Sequence, residues 1–290
     1  MDIYGLIGFP VKHSLSPAMH NAAFRYLNIE AKYELFNVEP EKLEDFILNR
    51  SDVSGFNITV PHKVRAKDIL CERFPPGKKE DTSLHIRLSG AVNTVKRRER
   101  ILEYLNTDVY GFWKSLKEDL SVTLEGKTIF LIGSGGAGRA IITGLSIKGV
   151  PSKKIYVYEN NIETAKSAKE HFSKFLFLKE KIGFIESSDI ERCIKESDVL
   201  INATPVGMKD GDECVIDKKL LHPGLSVYDV VYNRETELLK ESKELGIRAV
   251  GGKGMLLYQG ARAFEFWTDK PAPLGVMREA LDEALKNSNQ

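Results

Sequence analysis

The sequence predicts an α/β protein of two domains. The first is an α/β domain with a mostly parallel sheet, and the second is an α/β domain built around a glycine loop. Three observations predict this. Short apolar runs alternate with helical patterns through the first third of the chain, and a second alternation starts afresh near residue 127. At its head, the strand Lys127–Ile132 runs straight into Gly133-Ser134-Gly135-Gly136-Ala137-Gly138 and then an apolar helix. Such alternation builds βαβ units and parallel sheets.

Each element has a local reason. Ile3–Phe9 is apolar enough for a buried strand. Ser16-Pro17 opens a helix, with serine at the cap and proline in the first turn. Met19, Ala22, Ala23, Tyr26 and Leu27 share its apolar face. Lys32–Val38 and Gly55–Val60 read as the second and third strands. A short helix marked by Leu43, Phe46 and Ile47 lies between them, and a helical stretch follows from His62. Pro75–Asp81 reads as an exposed loop. Ala91–Lys96 and Ile101–Leu105 read as a hairpin whose tip, Arg97-Arg98-Glu99-Arg100, is a solvated charged turn. A helix from Thr107-Asp108 carries Val109, Phe112, Trp113, Leu116 and Leu120 on one side and runs toward the polar stretch Ser121–Gly126. Arg139–Ile147 is the helix after the glycine loop. Lys154–Tyr158, Val199–Asn202 and Ser226–Val231 read as strands, and Met255–Trp267 and Pro273–Leu285 as helices. The expected domains are residues 1–108 and 109–254, with the helices of about 255–290 packed back near the first.

Composition narrows the function. Lys and Arg total 42 against 41 Asp and Glu, so no charge imbalance draws the chain to nucleic acid or an anionic membrane. No apolar run approaches the ~20 residues of a membrane span, and the first residues lack the pattern of a signal peptide. Cys71, Cys193 and Cys214 are far apart and odd in number, which argues for reduced thiols and a cytoplasmic protein. The six histidines show no metal-ligand spacing, so no metal is expected. Ser134 sits in Gly-Ser-Gly rather than G-x-S-x-G, which argues against a serine hydrolase.

The glycine loop fits G-x-G-x-x-G in the strand–loop–helix context that dinucleotide binding requires. Gly133 permits the tight turn, Gly135 lets a pyrophosphate approach the backbone, and Gly138 lets helix and strand pack closely. The next strand ends in Tyr158-Glu159-Asn160-Asn161. An acidic residue there accepts bonds from the ribose hydroxyls of NAD and repels the extra phosphate of NADP, so the local chemistry favours NAD.

Several polar residues of the first domain fall where strands end: Ser14 and Ser16, then Asn57, Thr59 and Lys63, then Asn93, then Asp108. Each has an ordinary reading as a cap, a turn or a surface residue. Their joint occurrence beside a nucleotide domain points to a ligand site.

These segments identify a resemblance. The chain resembles the shikimate dehydrogenase family over essentially its whole length. The matching segments are Ser14-Leu15-Ser16-Pro17, Asn57-Ile58-Thr59-Val60-Pro61-His62-Lys63, Gly90-Ala91-Val92-Asn93-Thr94 and Asn106-Thr107-Asp108. Further on come the glycine loop, Asn202-Ala203-Thr204-Pro205-Val206-Gly207-Met208, and Gly254-Met255-Leu256-Leu257-Tyr258-Gln259-Gly260. The resemblance implies an N-terminal substrate domain, a C-terminal Rossmann domain and a cleft between them. It implies reversible NAD(P)H-dependent reduction of 3-dehydroshikimate to shikimate in aromatic amino acid biosynthesis. Lys63 and Asp108 would be the catalytic pair. Ser14, Ser16 and Tyr232 would bind the substrate carboxylate, and Thr59, Asn93, Asp108 and Gln259 its ring hydroxyls. Gly133, Ser134, Gly135, Gly136, Ala137 and Gly138 would cradle the dinucleotide, with Glu159 and Asn160 at the ribose. Thr204 and Met208 would line the nicotinamide pocket, with Gly252 and Met255 also on the cofactor side.

Two departures matter. The family's usual Asn-Arg-Thr turn, with another Arg three residues beyond, is here Glu159-Asn160-Asn161 and Thr164, so both phosphate-gripping arginines are missing. NADP is the family default, and this turn resembles the NAD-using quinate/shikimate branch. Asn233-Arg234 also replaces the common Asn-Pro after Tyr232. The alternatives are a quinate/shikimate dehydrogenase and a nucleotide-binding regulatory module without catalysis. The expected partners are a small-molecule substrate, shikimate or 3-dehydroshikimate, with no nucleic acid and no membrane, and the chain is expected as monomer or homodimer.

Overall fold

A computed structural model describes residues 1–75, 80–99, 101–147 and 152–288. It divides into two compact units: Met1–Gly111 with Leu256–Gln290, and Phe112–Met255.

The first unit runs β1 (Asp2–Gly8), α1 (Ser16–Tyr26), β2 (Ala31–Asn37), α2 (Leu43–Asn49), β3 (Val53–Ile58), α3 (Lys63–Arg73), α4 (Glu80–Ser89), β4 (Thr94–Arg98), β5 (Ile101–Leu105) and the start of α5 (Asp108–Ser115). Its sheet has the order β2-β1-β3-β4-β5. Alternation along β1 sends Tyr4 and Leu6 to one face and Ile7 to the other. The first face packs on Met19, Phe24, Phe264, Trp267 and Met277, and the second on Leu43, Phe46, Ile69 and Leu70. The C-terminal helices therefore complete the core of the N-terminal sheet.

Three expectations need correction here. The sheet is half parallel: β2-β1-β3 pair in parallel, whereas β3-β4 and β4-β5 are antiparallel. A connection as short as that between β4 and β5 permits only an antiparallel return. Arg97 and Arg98 belong to β4 rather than to a solvated tip. Arg97 folds inward and donates to the carbonyls of Ile47 and Val53. Of the supposed exposed loop Pro75–Asp81, helix α4 already takes up Glu80 and Asp81, while residues 76–79, like Arg100 at the hairpin tip, lie outside the described residues.

After α5 the chain continues as a π-helical segment, Leu116–Leu120. The second unit then runs β6 (Thr128–Ile132), α6 (Gly136–Ile147), β7 (Lys154–Tyr158), α7 (Ile162–Ser173), α8 (Leu176–Lys179), β8 (Ile182–Phe184), α9 (Ile190–Lys195), β9 (Val199–Asn202), β10 (Ser226–Asp229), α10 (Glu237–Glu244) and β11 (Arg248–Val250). Helices α11 (Lys253–Thr268) and α12 (Leu274–Ser288) close the chain. The sheet order is β11-β10-β9-β6-β7-β8, parallel throughout. Read from β8, this is the 3-2-1-4-5-6 order of a Rossmann fold. Its strand order reverses between β6 and β9, the point where open α/β sheets bind ligands. No helix among the described residues is long and apolar enough to cross a membrane.

Candidate active site

In the first unit the site forms where β1 and β3, which pair in parallel, both end. Two serines follow β1 at the mouth of α1. The helix is capped at Leu15 without a side-chain bond, so Ser16 is not the cap its sequence suggested. Instead Ser14 Oγ accepts from Ser16 N at 3.3 Å and donates to Ser16 Oγ at 3.2 Å. Neither hydroxyl is spent on the usual capping bond, and together they form a paired neutral donor set. Thr59 follows β3, its amide held by the carbonyl of Ile7 at 2.8 Å.

Lys63 is the first residue of α3. Its carbonyl accepts from Val92 N, which ties it beside Asn93. Its ammonium lies 2.5 Å from Asp108 Oδ2, with both side chains largely buried. Asp108 opens α5, and Asn93 Nδ2 donates to its other oxygen at 2.9 Å. A lysine paired and enclosed in this way is oriented by its partner and shielded from bulk water. It can hand a proton to an oxygen placed beside it and take one back.

Behind the pair lies a buried amide and hydroxyl network. Asn93 Oδ1 accepts from Thr107 N at 2.7 Å, and its Nδ2 also reaches Thr107 Oγ1 at 3.0 Å and Gln259 Oε1 at 3.5 Å. Thr107 Oγ1 donates to the same Gln259 oxygen at 3.3 Å. Thr94 Oγ1 accepts from Asn57 Nδ2 at 3.0 Å, and Tyr33 OH donates to Asn57 Oδ1 at 2.8 Å. Lys63, Asp108, Asn93 and Gln259 thus form one connected cluster, while Ser14, Ser16 and Thr59 stand at adjacent strand ends. Tyr33, Asn57, Thr94 and Thr107 belong to the same network without having been assigned a role from sequence. Asn57, Thr94 and Thr107 were visible inside the matching segments. Tyr33 carried no signal, because an aromatic in a strand reads as core.

In the second unit the glycine loop joins β6 to α6. Gly133 has φ +93°, and a Cβ on it would press on Thr204 and Ala203. A Cβ on Gly138 would collide with the carbonyl oxygen of Gly133, whereas one on Gly135 would meet nothing within 4 Å among the described residues. The three glycines divide as a phosphate cradle requires: two are demanded by packing, and one leaves backbone open for a ligand. Ser134, Gly136 and Ala137 complete the turn into the N-terminus of α6, whose unpaired N–H groups favour an anion. Glu159, at the end of β7, reaches back over this loop. Its Oε2 accepts from Ser134 N at 2.7 Å and Ser134 Oγ at 3.2 Å, and its Oε1 accepts from Asn161 N at 3.0 Å. Asn160 is exposed, and Asn161 caps α7 by accepting from Thr164 N. The residues present therefore fit a dinucleotide.

Thr204 and Met208 lie on the turn after β9, Thr204 half-buried and Met208 exposed. Tyr232 is half-buried in the segment after β10. A Cβ on Gly252 would collide with the carbonyl of Val230, so its missing side chain serves close packing. Met255 is buried in the first turn of α11.

Comparison with known proteins identifies the family. The family model for the shikimate dehydrogenase substrate binding domain matches residues 6–95, and that for the shikimate 5'-dehydrogenase C-terminal domain matches residues 252–281. A protein of Methanobrevibacter smithii named shikimate dehydrogenase (NADP(+)) is 40% identical over 98% of this chain and 97% of its own length. The crystal structure of shikimate dehydrogenase from Aquifex aeolicus is 35% identical, covers 97% of both chains and superposes with a TM-score of 0.82. That of shikimate 5-dehydrogenase from Listeria monocytogenes, in complex with shikimate and NAD, is 32% identical with a TM-score of 0.80, over 97% of this chain and 96% of that one. The chain belongs to the shikimate dehydrogenase family, and so to the NAD(P)-dependent oxidoreductases that act on a CH–OH group.

Proposed function

We propose that the protein interconverts 3-dehydroshikimate and shikimate, with Lys63 and Asp108 as its acid–base pair and NAD as its preferred dinucleotide. The observation that carries the reading is the enclosed 2.5 Å contact between Lys63 and Asp108 within the Asn93–Gln259 cluster. When bound, the reduced dinucleotide supplies a hydride to the ketone carbon. The chain's own residues do the rest. Lys63 donates a proton from Nζ to the ketone oxygen as charge develops there, and in the reverse direction its neutral amine takes the hydroxyl proton. Asp108 Oδ2 holds that nitrogen in place, while Asn93 fixes the carboxylate through Oδ1. Asn93, Gln259 and Thr59 offer amide and hydroxyl groups to the ring hydroxyls. Ser14 and Ser16 bind the substrate carboxylate with neutral donors, which suits a small anion that must leave after each turnover.

The cofactor preference rests on Glu159. Relatives carry NADP(+) in their names, but this chain places a carboxylate at the glycine loop and has no arginine between Arg139 and Arg192 to grip a ribose phosphate. The same turn favours one second reading, an NAD-dependent quinate/shikimate dehydrogenase. Initial rates with shikimate and quinate, each with NAD⁺ and NADP⁺, separate the possibilities. The expected result is fastest turnover with shikimate and NAD⁺. Preference for quinate would move the assignment to the second reading. Faster rates with NADP⁺ would remove the role given to Glu159, and no turnover with any pair would overturn the enzymatic reading.

A further inference from the structure

Asp229 is an acid in the middle of the second unit, at the end of β10, and it is wholly buried. Its carboxylate accepts three neutral donors: Asn202 Nδ2 at 3.0 Å, Val231 N at 3.0 Å and Thr236 Oγ1 at 2.7 Å. Burial outweighs these bonds and pushes its carboxyl up to about 6. A buried acid is costly unless its acceptor-only chemistry is used.

Its use is visible in Asn202. That side chain sits at the end of β9, 1% exposed. Its two ends are chemically different, and a carboxylate can face only the donating end. Asp229 therefore compels Nδ2 toward itself and Oδ1 away. The outward Oδ1 accepts from Thr204 N at 3.0 Å and from Thr204 Oγ1 at 2.7 Å, while Nδ2 also reaches Val206 O at 3.1 Å. On the other side of the carboxylate, Thr236 lies under Gly207. Gly207 has φ +101°, and a Cβ there would stand 2.7 Å from Thr236 Cγ2. One carboxylate thus fixes both walls of the turn that carries Thr204 and Met208.

We propose that Asp229 is a positioning residue for the reaction. Through Asn202 and Thr236 it sets the shape of the Ala203–Met208 turn, and with it the placement of the nicotinamide end of a bound dinucleotide. This rests on the dinucleotide reading above. Asp229 is wholly buried, so it acts through its neighbours rather than on a ligand. Its negative charge is not what the turn needs; the turn needs an acceptor that Asn202 must face.

The test compares Asp229→Ala with Asp229→Asn, whose amide oxygen can still accept from Asn202 and Val231. NADH is titrated into each purified protein, and the emission of the bound dihydronicotinamide reads the surroundings of the ring without turnover. Asp229→Ala should bind NADH within about threefold of wild type but lose the wild-type emission, and its kcat with shikimate should fall about ten- to a hundredfold, as a misplaced reactant implies. Asp229→Asn should restore both emission and kcat. Should Asp229→Ala not fold, Asn202→Ala carries the same expectation. Wild-type emission and kcat in the folded alanine variant would overturn the proposal, as would equal losses in Asp229→Asn. Wild-type protein that binds NADH without turning over shikimate would sink the substrate reading alone. Wild-type protein that binds neither NADH nor NADPH would sink the dinucleotide reading and this proposal together.

Discussion

Glu159 gathers donors from two directions, Ser134 on the glycine loop and Asn161 at the start of α7. A ribose hydroxyl can replace such a donor, whereas a ribose phosphate would meet the carboxylate as a like charge. Glu159→Ala is expected to raise the ratio of kcat/KM for NADP to that for NAD about tenfold, little more than 1 kcal/mol of repulsion at a partly exposed site. An unchanged ratio would show that Glu159 does not read the ribose. Glu159, Lys63 and Asp108 were legible in sequence because each sits at a strand or helix end beside recognisable neighbours. Ser16 was misread as a cap: a hydroxyl before proline commonly caps, but here the cap falls one residue earlier and the hydroxyl is left over. Asp229 was illegible. An acid at the end of Ser226-Val227-Tyr228-Asp229 resembles any polar strand end, and only burial reveals that it organises its surroundings.

Among the elements, the glycine loop with β6 and α6 most nearly dictates its own shape. Gly138 and Gly135 look alike in the motif but differ in space. Gly138→Ala forces a methyl group into the Gly133 carbonyl and should cost about 1–3 kcal/mol of stability in a denaturant titration. Gly135→Ala points its methyl group into open space and should leave stability unchanged while weakening dinucleotide binding. If Gly138→Ala proved neutral in stability, or Gly135→Ala bound NADH normally, the division of labour in the loop would be wrong. The strands flanking this loop were readable because β6, β7 and β9 are short apolar runs with clear stops. Strands β8 and β11 were not, since three residues such as Ile182–Phe184 are too few to show a period. The reversal at β4 and β5 was readable as a hairpin, but the extent of β4 was not. Arg97 looks like turn material until its guanidinium is seen bonded to two main-chain carbonyls.

For the whole molecule, two buried ionisable groups, His20 and Asp229, contribute to the response to pH in opposite directions. His20 is fully buried, stacked on Tyr33 at 4.4 Å, and neither ring nitrogen has a hydrogen-bond partner among the described residues. Burial lowers it from 6.5 to about 3. Its folded-state value is depressed, so the stability tied to it is present above pH 6.5 and is lost as pH falls toward 3. Asp229 is raised from 3.8 to about 6, so its contribution is present below pH 3.8 and is lost as pH rises through 6. His20→Phe isolates the first. Between pH 7 and pH 4 the stability difference between variant and wild type should move by about 3 kcal/mol in favour of the variant. A difference that stays constant across that range would mean that His20 already finds a partner in solution.

The ammonium of Lys63, held by Asp108, carries the chemistry assigned to the whole chain. Its most direct test is the rate of shikimate oxidation, followed by nicotinamide absorbance, in wild type and Lys63→Met, with NADH binding measured on both. Turnover should fall ~10²–10⁴-fold, the worth of a positioned acid–base group, while NADH binds as before. A methionine variant that oxidises shikimate at the wild-type rate would contradict the account.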